Sequence, residues 1–159
     1  MKRLTSKIII SALIFGACHC IVFAQTTISS FTLEKTYSEK QIFSVLGNPT
    51  KVYRQEGDYG ESLCYYIYKD AEFSFKDGYL FEFSVQTNKY PVMTDKVSGG
   101  IKVGDNISKV KKIKNIVYWQ PDDDKNVYII NFNQIKNQPD YEIRTKNGII
   151  TSIIFSTFD

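Results

Sequence analysis

Histidine is nearly absent from this chain: there is one in 159 residues, alongside three cysteines and one tryptophan. The N-terminus makes the shortage complete. Lys2, Arg3 and Lys7 precede an apolar run, Ile8–Phe15, that is too short and too early for a stop-transfer span. Val22-Phe23-Ala24 then offers small or tolerated residues around a cleavage site, so residues 1–24 read as a signal peptide and the mature chain begins at Gln25. His19 leaves with that segment, as do Cys18 and Cys20. Without histidine, Ser-His-Asp and Cys-His catalysis and most zinc sites are excluded. With Cys64 alone, no disulfide can form within the chain, and the fold must rest on packing. The 135 residues after the signal suffice for one domain, or for two small units sharing a core.

The basic balance is also largely lost with the signal. Three of the twenty basic residues lie in it, leaving 17 against 17 acidic ones. No nucleic-acid partner is expected, because that needs a clustered basic face. Lys109, Lys111, Lys112 and Lys114 read as the solvated flank of a helix. A second reading ends the signal at Phe15-Gly16-Ala17-Cys18, which resembles a lipobox with Cys18 lipidated. Phe15 stands there where leucine is usual, and the chain stays apolar through Ala24. Both readings export the protein, to the periplasm or the extracellular space. Membrane attachment, at the outer membrane, follows only from lipidation of Cys18.

What is present is a repeat. Phe75-Lys76-Asp77-Gly78-Tyr79-Leu80 and Thr145-Lys146-Asn147-Gly148-Ile149-Ile150 are one hairpin written twice, since Asp-Gly and Asn-Gly tolerate positive φ in a two-residue turn between β-rich runs. A helical pattern precedes each hairpin. Ser38 with Gln41 reads as a capping box, Ile42, Val45 and Leu46 form a stripe, and Gly47 and Pro49 end the helix. In the second unit Asp105 is the expected N-cap, and Ile107, Val110 and Ile113 form the stripe. The expected class is α+β: two tandem units, each a short helix packed on a four-stranded antiparallel sheet. Residues 25–34 form a polar leader, 35–88 the first unit, 89–100 a linker and 101–159 the second. In the last strand of each unit the odd residues, from Tyr79 and Ile149 onward, are the more apolar and should face the helices. The even residues, such as Glu82, Ser84, Ser152 and Ile154, should see solvent or a partner.

Candidate chemistry is thin. Cys64 lies mid-strand, where cysteine is usually an inert small hydrophobe. Asp122-Asp123-Asp124 lacks the spacing, the glycine and the distal glutamate of a calcium loop. Glu56, Asp58 and Glu61 share one loop, without the opposed placement that glycoside hydrolysis needs. No catalytic residue, metal or cofactor is expected. Aromatics are the remaining signal, with eleven Tyr, nine Phe and Trp119 after the signal. Tyr and Trp anchor interfaces because they join a large rigid area to a polar tip. Tyr66 and Tyr68 on one strand face, with Trp119 on the corresponding strand of the second unit, are therefore the expected protein-binding residues.

Tyr37-Ser38-Glu39-Lys40-Gln41-Ile42-Phe43-Ser44-Val45-Leu46-Gly47-Asn48-Pro49 resembles the helix-then-Leu-Gly-x-Pro opening of a family that comprises the small outer-membrane assembly lipoproteins of the SmpA/OmlA type and the β-lactamase inhibitory proteins. Gly104-Asp105-Asn106-Ile107-Ser108-Lys109-Val110 resembles the same opening, with Lys114-Asn115-Ile116 where the Leu-Gly-x-Pro exit would stand. Two tandem units across about Phe31–Asp159 are most similar to the inhibitory proteins, whose paired sheets make a concave surface that grips an enzyme. Those inhibitors carry a disulfide in each unit, which Cys64 alone does not supply. The resemblance implies a non-catalytic protein-binding module, an inhibitor or immunity protein acting on a secreted enzyme or toxin. The alternative is an envelope scaffold or assembly lipoprotein.

Overall fold

The structure, a computed structural model, describes residues 27–28, 30–33, 35–94, 97–113, 117–119, 124–131 and 140–156. The expected signal segment with Cys18, and Asp122 and Asp123, lie outside the described residues. Along the chain run β1 (Thr27–Ile28), β2 (Phe31–Thr32), α1 (Glu39–Leu46), β3 (Lys51–Glu56), β4 (Ser62–Tyr68), β5 (Ala71–Lys76) and β6 (Tyr79–Val85). They are followed by β7 (Val92–Thr94), β8 (Val97–Ile101), α2 (Ser108–Lys111), β9 (Val117–Trp119), β10 (Val127–Asn131), β11 (Asp140–Lys146) and β12 (Ile149–Ser156). Two antiparallel sheets result, a four-stranded one ordered β2-β1-β7-β8 and an eight-stranded one ordered β3-β4-β5-β6-β12-β11-β10-β9.

This overturns the expected α+β pair of helix-on-sheet units. The chain is mostly β. A sheet confined to either half would leave β6 or β12 as an apolar edge, and such edges are liabilities. Instead the two edges pair, Phe83 opposite Phe155 and Val85 opposite Ile153, and the sheet runs on through the seam. Helix is too scarce to make a second layer, since α2 has only four residues. The second layer comes from segments read as leader and linker. Phe31 in the leader and Val92 in the linker are fully buried, and both lie in strands of the small sheet. A few buried apolar side chains are enough to recruit a short strand from a polar stretch.

One face of the large sheet carries the core. Tyr66, Phe73, Phe83, Phe155, Tyr141 and Ile130 lie opposite one another in register across six strands, all buried. The small sheet covers the middle of that row. Phe31 meets Phe75 edge-on at 5.8 Å between ring centroids, and Tyr90 meets Phe73 at 5.2 Å. Helix α1 covers one end, with Ile42 and Leu46 buried and Phe43 edge-on to Tyr66 at 5.5 Å. Its capping box forms as the sequence predicts, and the Gly47 N–H donates to the Phe43 carbonyl at 2.9 Å. In α2 the stripe residues Ile107 and Val110 are buried, but Asp105 is not the cap. Asn106 Oδ1 accepts from the Ser108 N–H at 2.9 Å, while the Asp105 carboxylate accepts from the Lys102 N–H and pairs with Lys109.

Both hairpins turn through left-handed residues: φ is 49° at Asp77 and 83° at Gly78, then 54° at Asn147 and 77° at Gly148. Each is followed by a β-bulge that leaves Phe81 or Thr151 without an opposite residue. The bulge corrects the odd-even expectation. Before it the even residues Leu80 and Ile150 are buried, while Tyr79 and Ile149 are exposed. Beyond it the odd residues Phe83, Val85, Ile153 and Phe155 face the core.

The two glycines differ in surroundings. A Cβ on Gly148 meets nothing within 4 Å, whereas one on Gly78 meets Thr36 Cγ2 and the Tyr37 carbonyl, both at 2.8 Å. Gly148→Ala is expected to cost about 1 kcal/mol from left-handed strain alone. Gly78→Ala adds a backbone clash and is expected to cost about 2–3 kcal/mol. Chemical denaturation of both variants checks the order, and equal losses would refute it.

Candidate functional site

The other face of the large sheet is where a site can form. Helix α1 and the small sheet reach the large sheet through Tyr66, Phe75 and Phe73, all on the core face. No described element covers the opposite one. Its first row in register is Tyr53, Tyr65, Ser74, Glu82 and Ser156, and its second is Lys51, Ile67, Glu72, Ser84, Ile154, Glu142 and Ile129. Short serines occupy the central strands β5, β6 and β12, and taller side chains stand on both flanks. The result is a low strip with raised sides. The strip explains why Ser74 is only 1% exposed and Ser152 only 7% exposed on a face that no element covers.

Most charges on this face and at its rim are satisfied. Lys51 Nζ lies 4.3 Å from the Tyr53 ring centre. Arg144 pairs with Glu142, and Lys76 pairs with Glu61 at 3.0 Å. Hydrogen bonding from its own backbone N–H, then from Lys76 and the Tyr59 N–H, holds the Glu61 carboxyl below the usual carboxylate range. Glu72 and Glu82 form a diagonal pair on adjacent strands at the middle of the strip, with Lys69 and Asp70 at its end beside Glu72. Neither glutamate forms an ion pair among the described residues. Partial burial, and then repulsion from Glu72, push the Glu82 carboxyl above its ordinary value.

The expected binding residues fall elsewhere. Tyr66 and Tyr68 do share a strand face, but it is the core face. Tyr66 is 2% exposed, wedged between Phe43 and Phe75, with its hydroxyl 3.4 Å from Glu39 Oε1. Burial pushes its phenol well above the ordinary value. Tyr68 is half-buried, stacks edge-on against Phe73, and donates to the Gly47 carbonyl at 3.0 Å. Burial raises its phenol to about 12. Neither is free to anchor a partner, because the second layer needs them. Trp119 pairs in backbone register with Ile129, on the far side of the large sheet from β4. The structure therefore brings Tyr66 and Tyr68 together but not Trp119. Sequence reasoning missed Tyr65, the tyrosine of β4 on the open face. Strand alternation from a buried neighbour, Tyr66, is the signal that finds it.

A second concavity, of about 230 Å³, lies between α1 and the edge of the large sheet, lined by Tyr37, Glu39, Arg54, Cys64 and Tyr66 among others. Arg54 closes on Glu39 across it. Cys64 is half-buried against the core with Ser62 Oγ at 3.9 Å, the setting of a packing cysteine. The Glu56–Glu61 loop is solvated, with Tyr59 93% exposed. Among the described residues no three His, Cys, Asp or Glu side chains are grouped to hold a metal, and no helix is long and apolar enough to cross a membrane.

Two outcomes follow. Tyr66→Ala is expected to destabilise by about 3 kcal/mol or more, since it empties the space between Phe43 and Phe75. A thermal melt unchanged by that substitution would place Tyr66 outside the core. For Glu82, a carboxyl with a raised folded pKa holds its proton more tightly folded than unfolded, so its ionisation opposes folding. That opposition is absent below the unfolded value of about 4.3 and complete above the raised folded value. Glu72 on β5 is the charge that faces it. Lys76 on the same strand is engaged by Glu61. Glu82→Gln is expected to raise the melting temperature at pH 7 and to leave it unchanged at pH 3. A loss at pH 7 would contradict the assignment.

No family model and no curated protein sequence matches the chain. Among solved structures, the chain is similar to the 1.5 Å crystal structure of an extracellular protein containing an SCP domain from Bacillus anthracis strain Ames, with a TM-score of 0.44 and 8% identity over 76% of this chain. The match spans 43% of that protein, and a likeness so distant carries no argument about either fold or activity.

Proposed function

We propose that this chain is an exported, non-catalytic protein-binding module that works through the open face of its eight-stranded sheet. The observation that carries the reading is the asymmetry of that sheet: one face is sealed by a second layer, and the other offers a strip flanked by half-buried apolar side chains. Such a mixed, preformed surface suits docking of a protein better than it suits chemistry. The export part rests on the N-terminal segment Lys2–Ala24. The resemblance to the β-lactamase inhibitory proteins points the same way, toward inhibition of a secreted enzyme or immunity to a toxin. An envelope scaffold is the second reading, favoured by the Phe15-Gly16-Ala17-Cys18 sequence. The intact mass of the protein from its native envelope separates these readings, because a diacylglyceryl group on Cys18 selects the scaffold.

The docking face is tested with photo-reactive residues at Tyr65 and, on exposed α1, at Lys40. Cross-linking from Tyr65 and not from Lys40 is expected to capture the partner. With the partner in hand, Ile154→Arg is expected to weaken binding by about 2 kcal/mol, roughly thirtyfold, with little change in melting temperature. Cross-links arising only from Lys40, or an Ile154→Arg variant that binds normally, would remove the open face from the function.

A further inference from the structure

We infer that the open face takes a protein partner which presents a lysine or arginine, flanked by apolar side chains, to Glu82 and Glu72. The inference deepens the proposed function and rests on its reading of the docking face. Three observations on different residues carry it. First, Glu61 and Glu142 each have a basic partner within the chain, while Glu72 and Glu82, at the centre of the strip, have none among the described residues. Second, Ser74 sits between Tyr65 and Glu82 in register, 1% exposed, and its hydroxyl makes no hydrogen bond among the described residues. Phe73 and Phe75 take the core side of β5, so Ser74 lies on the open side with the carboxylates. Third, Tyr65, Ile67 and Ile154 border the pair and are all half-buried. Apolar neighbours that exclude water around an acidic centre strengthen a charge-assisted hydrogen bond formed there.

The chemistry that completes this arrangement is a cationic donor. An ammonium or guanidinium between the two carboxylates neutralises their repulsion, and its N–H groups reach acceptors on Glu82 and Ser74. An anionic or purely apolar partner would leave both defects in place. A bare divalent ion would find two carboxylates on separate strands and no third ligand of the usual kind among the described residues.

The test uses the full chain, isotopically labelled, and a capped pentapeptide with one lysine between two tyrosines. Control peptides carry norleucine or glutamate in place of lysine. At millimolar peptide, amide shifts at Tyr65, Ser74, Glu82 and Ser84 are expected for the lysine peptide, with affinity about tenfold above that of the norleucine peptide. Glu82→Gln, which leaves the fold in place, is expected to abolish that preference while the weaker apolar binding remains. Equal affinity for the lysine and norleucine peptides overturns the cationic assignment and leaves the docking face standing. Shifts confined to other surfaces, or no shifts at all, overturn both. Calcium chloride that reproduces the shifts overturns the inference in favour of a metal. Shifts that follow protein concentration alone overturn it in favour of a second copy of the chain.

Discussion

Backbone pairing between β6 and β12 is the interaction on which the rest of this structure depends. It joins the last strand of the hairpin Ala71–Val85 to the last strand of the hairpin Asp140–Ser156. The register places Phe83 against Phe155, and their rings stack at 5.3 Å between centroids. Shift that register by one residue and every core side chain of one half moves to the open face. The seam therefore fixes the common core face and the common open face together. It also explains why the strand order mirrors itself, from β3 inward to β6 and from β9 inward to β12.

The second layer follows from the same constraint. A sheet eight strands wide presents more apolar area than one two-turn helix and one single turn can cover. β1, β2, β7 and β8 supply the rest of that layer with Ile28, Phe31, Val92 and Ile101, all fully buried, and Phe31 meets Phe75 of β5. Each helical segment is held at the rim by its own hairpin: the Tyr37 N–H donates to the Gly78 carbonyl, and the Ile107 N–H to the Gly148 carbonyl, both at 2.9 Å. The close approach of Tyr37 to Gly78 is the reason that a side chain there would be resisted by more than φ.

What was legible in the sequence was local. The Asp-Gly and Asn-Gly turns and the Ser38/Gln41 capping box depend on neighbours a few residues away, and each forms where the residues predict it; of the two stripes, Ile42, Leu46, Ile107 and Val110 are buried, Ile113 is half-buried and Val45 is exposed. What was not legible depends on partners distant in the chain. A bulge is a mismatch between two strands, so nothing near Phe81 or Thr151 announces it, and parity counted from the turn places Tyr79 and Ile149 wrongly in the core. The strands at Phe31 and Val92 are short and flanked by polar or glycine-rich sequence, and their apolar residues are buried only through partners distant in the chain. Tyr66 was misread for the same reason. An aromatic on each face of β4 implies that one face is open, but choosing the face requires knowing where α1 lands. The even residues Glu82, Ser84 and Ile154 lie on the open face as expected, because beyond the bulge the alternation resumes, whereas Ser152 on the same face is buried.

The open face carries an asymmetry between stability and placement. Exposed carboxylates are ordinarily neutral to folding, and a protein tolerates them anywhere on its surface. Glu82 is different, since its neighbours have removed part of its water and Glu72 repels what charge remains. Serine or threonine at position 82 would match the rest of the strip and fold at least as well. A fold stabilised so thoroughly on one face, by aromatic side chains in register on five adjacent strands, can carry one unfavourable group on the other. Groups that oppose folding and lie together in a solvent-reached strip are those whose energy is recovered on binding. Ser74 lies beside this pair on β5, next to the seam strand β6, and in register with Glu82. On the proposed reading, a preformed sheet face that holds two neighbouring carboxylates without an ion pair among the described residues is preorganised for a partner that brings a positive charge.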